Sequence, residues 1–600
     1  MTAFYRRWRA WWFSFCTLFL LVVLGLLAAR LVFFVTHQPA GLHLGDPDFR
    51  AALWMGARFD LKHLSVLIGP WFLLSLVFYR ASSFGWQLFR RAFWLYGSVL
   101  VFLINLLSII NHYYFAFYQS PINALFFGLQ EDDTEAILST IWYDFPVLRL
   151  VLLLFAVTAV QMVAAKKVEW LSLYANPRAT AARPGRSVAL ISILTIALLA
   201  GLGRGSFGVF PLRAQHMNVS QNSFFNQLVP SGAHALHLAH KERSRSRLQG
   251  DPLLPLRQAG FEHWQEAAQS CGIAHDEGLF KTLQHHPQAE QQPPHVVVAL
   301  MESWGRHLLE FDDPEHTDLL GDLRPWVQGK ADFFSRALSI QNGTHPSLEG
   351  ILLDTPFTPL MQSSHGYQTY DSARTLPYKE QGYKTIFLTA GSGSWRQLDP
   401  TLLRQGFDEI HDEQAIKERF PEAETHTWGI DDEWMFRYAE ELLQAAERDG
   451  DKLMLFMLSV TNHPPYRTPT HYQNPSFELQ PIRTAMATDE DMGQAIMQTY
   501  RYANHHLGQF LNRLEDEGLL QKTLVAATGD HTNRSIFVYP DSTQLQYKYG
   551  VPILFYIPPA YQQQHEPVDT QAWSSHQDIF PTLWAHSLSD IPVPISSGRN

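Results

Sequence analysis

Five apolar stretches crowd the first two hundred residues, and they constrain the fold more than any other feature of the sequence. They run from Trp11 to Val35, Leu61 to Phe78, Ala92 to Ile110, Val147 to Val163 and Val188 to Leu202. Each approaches the roughly 20 residues an α-helix needs to cross a bilayer. Inside lipid every backbone N–H and C=O must be paired within the segment, which leaves helices as the economical solution. The pattern therefore predicts a bundle of five membrane spans. The first run is too long for the core of a cleavable leader and is followed by further spans, so it reads as an anchor.

The short loops orient the bundle. Arg6, Arg7 and Arg9 precede the first span, Arg80, Arg90 and Arg91 separate the second and third, and Lys166, Lys167, Arg178, Arg183 and Arg186 separate the fourth and fifth. Basic loops stay on the cytoplasmic side. The alternate loops are acidic, with Asp46 and Asp48 in one and Glu131, Asp132, Asp133 and Glu135 in the other. Everything after about Leu202 is thus expected outside the cytoplasm.

A chain of 600 residues exceeds one ordinary domain. Its mean hydropathy of -0.12 averages an apolar first third with a remainder of globular composition. The boundaries read as five spans over 1–203, a helical connector and linker over 204–294, and a soluble domain over 295–600. The connector holds a helical piece at Ser231 to Lys241 and a polar linker at His285 to Pro294. The net charge of -11 argues against nucleic acid as a partner. The soluble half has one short basic cluster, Lys241 to Arg247, which reads as a solvated helix end. Cys16 lies in the first span and Cys271 in the soluble part, so the two are not expected to pair.

In the soluble part, apolar runs end in reactive residues. KTLVAATGDH at Lys522 to His531 holds Leu524 to Ala527 without polar alternation, the pattern of a strand buried on both faces in a parallel sheet. Asp530 and His531 follow at its carboxyl end, the edge where open α/β sheets bind ligands. HVVVAL at His295 to Leu300 leads into Glu302 in the same way. Ala337 to Ile340 leads into Asn342-Gly343, a turn, and then Thr344 at the start of a helix. There Thr344 is either a helix N-cap or a group placed where anions bind. Lys384 to Leu388 runs into a loop holding Trp395 and Arg396, and Lys452 to Val460 runs into TNHPPY with His463. Helices such as Trp434 to Glu447 and Tyr500 to Glu517 supply the crossovers.

These strand ends converge on one edge of a mostly parallel α/β sheet. Glu302, Thr344, Asp530 and His531 make a set of oxygens and one nitrogen suited to Mn²⁺, Zn²⁺ or Mg²⁺. A threonine hydroxyl is a poor nucleophile unless a base or metal lowers its pKa. A cation shared with a phosphoryl oxygen would do that and neutralise the group attacked. Arg396 and His463 are placed to hold the non-reacting oxygens or a headgroup.

Seven motifs carry a resemblance: MESWG at Met301 to Gly305, NGTHPSLEG at Asn342 to Gly350, SWRQLD at Ser394 to Asp399, WGIDDEW at Trp428 to Trp434, TNHPPY at Thr461 to Tyr466, TGDH at Thr528 to His531 and SHQDIFPTL at Ser575 to Leu583. In this order, after five spans and a connector, the chain resembles the lipoteichoic acid synthase family of the alkaline phosphatase and sulfatase superfamily. The resemblance implies an alkaline-phosphatase-like domain in which Glu302, Thr344, Asp530 and His531 bind one divalent metal, typically Mn²⁺, with Thr344 as nucleophile. It also implies that Trp395, Arg396 and His463 contact a phosphoglycerol group. His576 and Asp578 match a superfamily motif that supplies a metal ligand in some relatives. THPSLEG departs from the GKTSDAEF-like context of the polymerases, and the chain looks closer to Gram-negative relatives. That implies an inner-membrane protein with its catalytic domain in the periplasm.

The expected activity is phosphoglycerol transfer from a phosphatidylglycerol-like phospholipid donor to a glycan or lipid hydroxyl acceptor. Phosphoethanolamine transfer would use the same residues. A sulfatase-type hydrolase needs Cys or Ser within Cys/Ser-x-Pro-x-Arg, whereas this chain has Thr344-His345-Pro346-Ser347-Leu348, without the arginine. A non-catalytic lipid sensor is the reading from another class, and the intact set of metal-ligating residue types argues against it.

Overall fold

The first apolar run forms the helix α1 (Thr2–His37), followed by α2 (Pro47–Val77), α3 (Ser83–Tyr118), α4 (Val147–Tyr174) and α5 (Pro184–Arg204). All five are long and apolar enough to cross a membrane, as expected, and the chain is a multi-pass membrane protein with a soluble domain. The computed structural model describes residues 2–39, 41–118, 120–127, 138, 141–142, 145–174, 184–206, 211–220, 222–246, 253, 256–257, 259–270, 279–361, 366, 368–539, 541–562 and 568–596. Glu131, Asp132, Asp133, Glu135, Arg178, Arg183, Arg247 and Cys271 fall outside them.

Two helices run well beyond their apolar cores. Pro47, fixed at a helical φ, opens α2 fourteen residues before the hydropathy signal at Leu61. The extra turns carry Arg50, Arg58 and Asp60, which mask the helix from a hydropathy reading, yet Asp60 is buried and pairs with Arg30 of α1 at 2.5 Å. The fourth helix continues through Lys166 and Lys167 to Tyr174, with its buried Glu169 held by Arg90 at 2.6 Å and by Trp94 Nε1 at 3.1 Å. Residues 1–126 and 141–241 form one compact unit with the spans, including α6 (Ser223–Leu228) and most of α7 (Gly232–Ser246).

The soluble unit is built on an eight-stranded sheet: β1 (His295–Met301), β2 (Asp332–Leu338), β3 (Lys384–Thr389), β4 (Glu409–His411), β5 (Leu453–Leu458), β6 (Thr523–Gly529), β7 (Gly550–Tyr556) and β8 (Ser574–Ser575). Its order is β8-β2-β7-β6-β1-β5-β3-β4. From β6 to β4 all neighbours are parallel, and β7 is antiparallel to both β6 and β2. The apolar runs have no polar alternation because each face is covered. Val297, Ala299 and Met301 point to one side, against α9 (Asp432–Asp449) and α10 (Glu490–Asp516). Val296, Val298 and Leu300 point to the other, against α8 (Thr344–Leu353) and α11 (Ile579–Ser587). The strand expected at Ala337 begins five residues earlier, since Asp332 to Arg336 lie near the sheet edge and tolerate polar side chains.

Candidate active site

Parallel pairing brings the reactive strand ends to one level. Met301 of β1 is in register with Gly529 of β6, so Glu302 and Asp530 leave adjacent strands side by side. Gly529 has to be glycine: a Cβ there would stand 2.2 Å from Trp304 O. Ser303 turns the chain away with φ 52°, a left-handed conformation that non-glycine residues adopt mainly where the surroundings enforce it. Its backbone N–H donates to Asp530 Oδ1 at 2.7 Å, and its hydroxyl donates to Glu302 Oε1 at 2.8 Å.

The position of Thr344, the expected nucleophile, is set by α8. Gly343 occupies the N-cap, so Thr344 is the first helical residue and the capping alternative does not hold. Its hydroxyl instead donates to Glu302 Oε2 at 3.1 Å and lies 3.5 Å from His531 Nε2. Thr344 is half-buried, whereas Glu302, Asp530 and His531 are buried.

Ligand atoms of Glu302, Asp530 and His531 lie within 4.8 Å of one another. His531 Nδ1 is 2.8 Å from the Thr532 carbonyl, the bond that fixes its proton there and leaves the Nε2 lone pair facing the carboxylates. Burial, reinforced by Arg534, holds the imidazole well below its usual pKa and keeps it neutral. Burial raises the Glu302 carboxyl, and burial together with Glu302 drives Asp530 well above the carboxylate range. Asp530 Oδ2 is buried without a hydrogen-bond partner among the described residues. Two buried carboxylates, a neutral imidazole and a nearby hydroxyl fit a divalent cation, which would compensate the charge that the protein leaves unpaired.

The supporting residues were less visible in the sequence. Arg534, four residues past Asp530, donates to Asn342 O at 2.8 Å and its charge acts on both Glu302 and His531. Asn462 Nδ2 lies 3.2 Å from the carbonyls of Glu302 and Ser303. Asp432 of the WGIDDEW motif accepts from the backbone N–H of Val460 and Thr461, at 2.9 and 3.2 Å, and so pins the start of TNHPPY.

Beside it, Asp431 is pushed up to about 7 by burial and by Asp432 and Glu433. A carboxyl raised on folding stabilises the fold while protonated, and that contribution is lost as pH rises through the folded value. Asp431→Asn is therefore expected to gain stability over the native chain as pH rises from 5 to 8, by about 2–3 kcal/mol at the upper end. Denaturant unfolding of both proteins across this range checks it.

Trp395 and Arg396 lie beside α8. The Trp395 ring meets His345 edge-on at 5.8 Å, and the Arg396 guanidinium, 5.4 Å from the Trp395 ring, acts electrostatically on His345 and Glu349. His463 packs on Trp428 with ring centroids 4.0 Å apart and is close enough for its charge to act on His531.

His576 reaches the same region but uses both ring nitrogens on backbone. Nδ1 accepts from Ile340 N at 3.2 Å, and Nε2 donates to Gly529 O at 2.8 Å. It ties the approach to Thr344 to the strand carrying Asp530, as a positioning residue. Asp578 accepts from Ser575 N at 2.7 Å and forms a capping box. His576→Ala is expected to lower activity about 10–100-fold, in the range of lost supporting contacts to metal ligands. Unchanged turnover, measured alongside metal affinity, would exclude that linkage.

Residues 294–587 match the family model described as Sulfatase. This stretch is a Sulfatase domain. The chain is 23% identical over 266 residues to phosphoglycerol transferase I of Xanthomonas campestris pv. campestris (strain B100), a match covering 42% of this chain and 36% of the relative. It is 25% identical over 264 residues to the lipoteichoic acid synthase-like YvgJ of Bacillus subtilis (strain 168), covering 41% and 37%. The matches thus span little more than a third of these relatives' lengths. Among solved structures, lipooligosaccharide phosphoethanolamine transferase A of Neisseria meningitidis is similar over 90% of this chain and 96% of its own, at 15% identity and a TM-score of 0.46. The expected superfamily is borne out, and the Sulfatase domain contains all four expected ligands of the site.

Proposed function

We propose that the protein is a metal-dependent phosphoglycerol transferase anchored in the inner membrane, its catalytic domain over 295–600 facing the periplasm. The spans over 1–203 and connector over 204–294 would hold that domain at the lipid surface. The observation carrying this reading is the Thr344 hydroxyl, half-exposed at a helix N-terminus and directed at the buried Glu302, Asp530 and His531 group. The names of the matched relatives, phosphoglycerol transferase I and lipoteichoic acid synthase-like, support the choice of substrate class.

Glu302, Asp530, His531 and Thr344 would hold one divalent ion, Mn²⁺ in this reading, which when bound lowers the hydroxyl pKa and neutralises phosphoryl oxygens. Thr344 Oγ1 attacks the phosphorus of a phosphatidylglycerol-like donor. The Oγ1–P bond forms, the bond from phosphorus to the diacylglycerol oxygen breaks, and the threonine proton ends on diacylglycerol. A glycan or lipid hydroxyl then takes the glycerophosphate and returns its proton to Thr344. Trp395, Arg396 and His463 hold the headgroup and its non-reacting oxygens, and the α8 N-terminus favours the anion.

Intact-mass measurement on the full chain in detergent, loaded with Mn²⁺ and incubated with phosphatidylglycerol, tests this reading. A glycerophosphate adduct absent from Thr344→Ala is expected. An adduct with phosphatidylethanolamine instead would overturn the donor assignment, and no adduct with either lipid would overturn the transfer chemistry.

A further inference from the structure

The transfer reaction assigns no residue of WGIDDEW, although Trp428 of that motif stands against His463. Thr425 and His426 pair antiparallel with Ile430 and Gly429, and Thr427-Trp428 turn between them. Two contacts seat this hairpin at the carboxyl end of β3. Ile430 N donates to Ala390 O at 2.8 Å, and Gly429, at φ 132°, passes so close that a Cβ would stand 2.1 Å from the same oxygen. His463 follows the neighbouring parallel strand β5, so both segments leave the sheet at one edge. Asp432 N donates to Thr461 Oγ1 at 2.8 Å, beside the bonds that pin Val460 and Thr461, and Asn462 holds the turn after Glu302. The backbone before His463 is thereby tied both to WGIDDEW and to the strand end that carries Glu302.

The two rings meet at the Pro464 carbonyl. Trp428 Nε1 donates to it at 2.6 Å, and His463 Nδ1 lies 2.9 Å from it. A carbonyl only accepts, so in the neutral imidazole the proton is on Nδ1 and Nε2 is the acceptor. The indole also covers the imidazole, with ring centroids 4.0 Å apart. Its own backbone is held in turn, since Trp428 N donates to His426 Nδ1 at 3.2 Å. Both rings are half-buried, so the indole spends its face and its N–H on the loop of His463 and not in a core.

We propose that Trp428 is a positioning residue that sets headgroup specificity through His463: it fixes the imidazole by its ring face and through Pro464 O, so that Nε2 accepts a hydrogen bond from a headgroup hydroxyl. A neutral Nε2 repels a phosphoryl oxygen and attracts an O–H. The headgroup is then divided, its hydroxyl on His463 and its anionic oxygens on Arg396. This role takes its ligand from the proposed function and names the part of that ligand the imidazole reads. Phosphate esters that carry a free hydroxyl are distinguished from those that lack one.

The test is equilibrium binding to the full chain in mild detergent, loaded with Mn²⁺, and it needs no turnover. The probes are sn-glycerol 1-phosphate and propyl phosphate, which has the same carbon chain without hydroxyls, with inorganic phosphate as control. The native chain is expected to hold the glycerol ester about fivefold more tightly than the propyl ester, within what one hydrogen bond contributes. Trp428→Leu should bring the two esters within about twofold of each other, while propyl phosphate and inorganic phosphate bind as they do to the native chain. His463→Ala should do the same and the double variant no more, because both act through one contact. Trp428→Phe keeps a ring face without the N–H and should fall between. Native-like binding of inorganic phosphate verifies that each variant is folded. A preference untouched by Trp428→Leu, an equal loss for all three anions, multiplied effects in the double variant, or no preference in the native chain would overturn the assignment. The preference without any lipid adduct would remove the transfer reading and leave Trp428 in this role, and an adduct without the preference would do the reverse.

Discussion

Thr344→Ala should lower diacylglycerol release from phosphatidylglycerol vesicles by at least about 10³-fold, as expected when a covalent nucleophile is removed. The loss should fall on kcat, because Trp395, Arg396 and His463, to which the proposed function assigns the headgroup, are unchanged. Stability should change by less than about 1 kcal/mol, since Thr344 is half-buried at the first turn of α8 and alanine is the better helix former. Thr344→Ser keeps a hydroxyl at the same atom and should retain measurable turnover. That contrast separates loss of the attacking oxygen from disturbance of the helix. If the alanine variant turned over normally while the serine variant did not, Thr344 would be a packing residue and the proposed reaction would have no nucleophile.

The legible part of the site was the part dictated by strand burial. Val296 to Leu300 and Leu524 to Ala527 have no polar alternation because both sheet faces are covered, so the sequence alone places Glu302 and Asp530 at carboxyl ends. Thr344 followed from Asn342-Gly343 and the apolar helix after it. Tertiary contacts hide the rest. His576 looks like a ligand in sequence, yet Ile340 N and Gly529 O, from distant segments, take both its nitrogens. Arg534 lies in an irregular stretch with no periodicity to aim it. The bundle hides its polar half for a related reason: Asp60 reads as a break in a span until Arg30, thirty residues earlier, neutralises it.

Metal removal tests the same centre through stability. Glu302 and Asp530 are both buried, and burial raises both carboxyls. In the metal-free protein such groups stabilise the fold only while protonated, so stability declines as pH rises through their folded values. A divalent cation competes with those protons, and its stabilisation should therefore grow with pH. At a hundredfold excess over Kd, binding contributes about 2.7 kcal/mol, or about 4 °C in Tm for a domain of about 300 residues. Chelation should cost the native chain that amount at pH 8 and less at pH 6, as followed by tryptophan fluorescence. Asp530→Asn keeps Oδ1 as acceptor for the N–H groups of Ser303 and His531 but removes the unpartnered charge at Oδ2. Its Tm should be nearly indifferent to Mn²⁺ and chelator, and its metal-free form should melt above the metal-free native chain at pH 8. An equal response to Mn²⁺ in both proteins would mean that the ion sits elsewhere, and that protonation alone lets the buried carboxyls lie together.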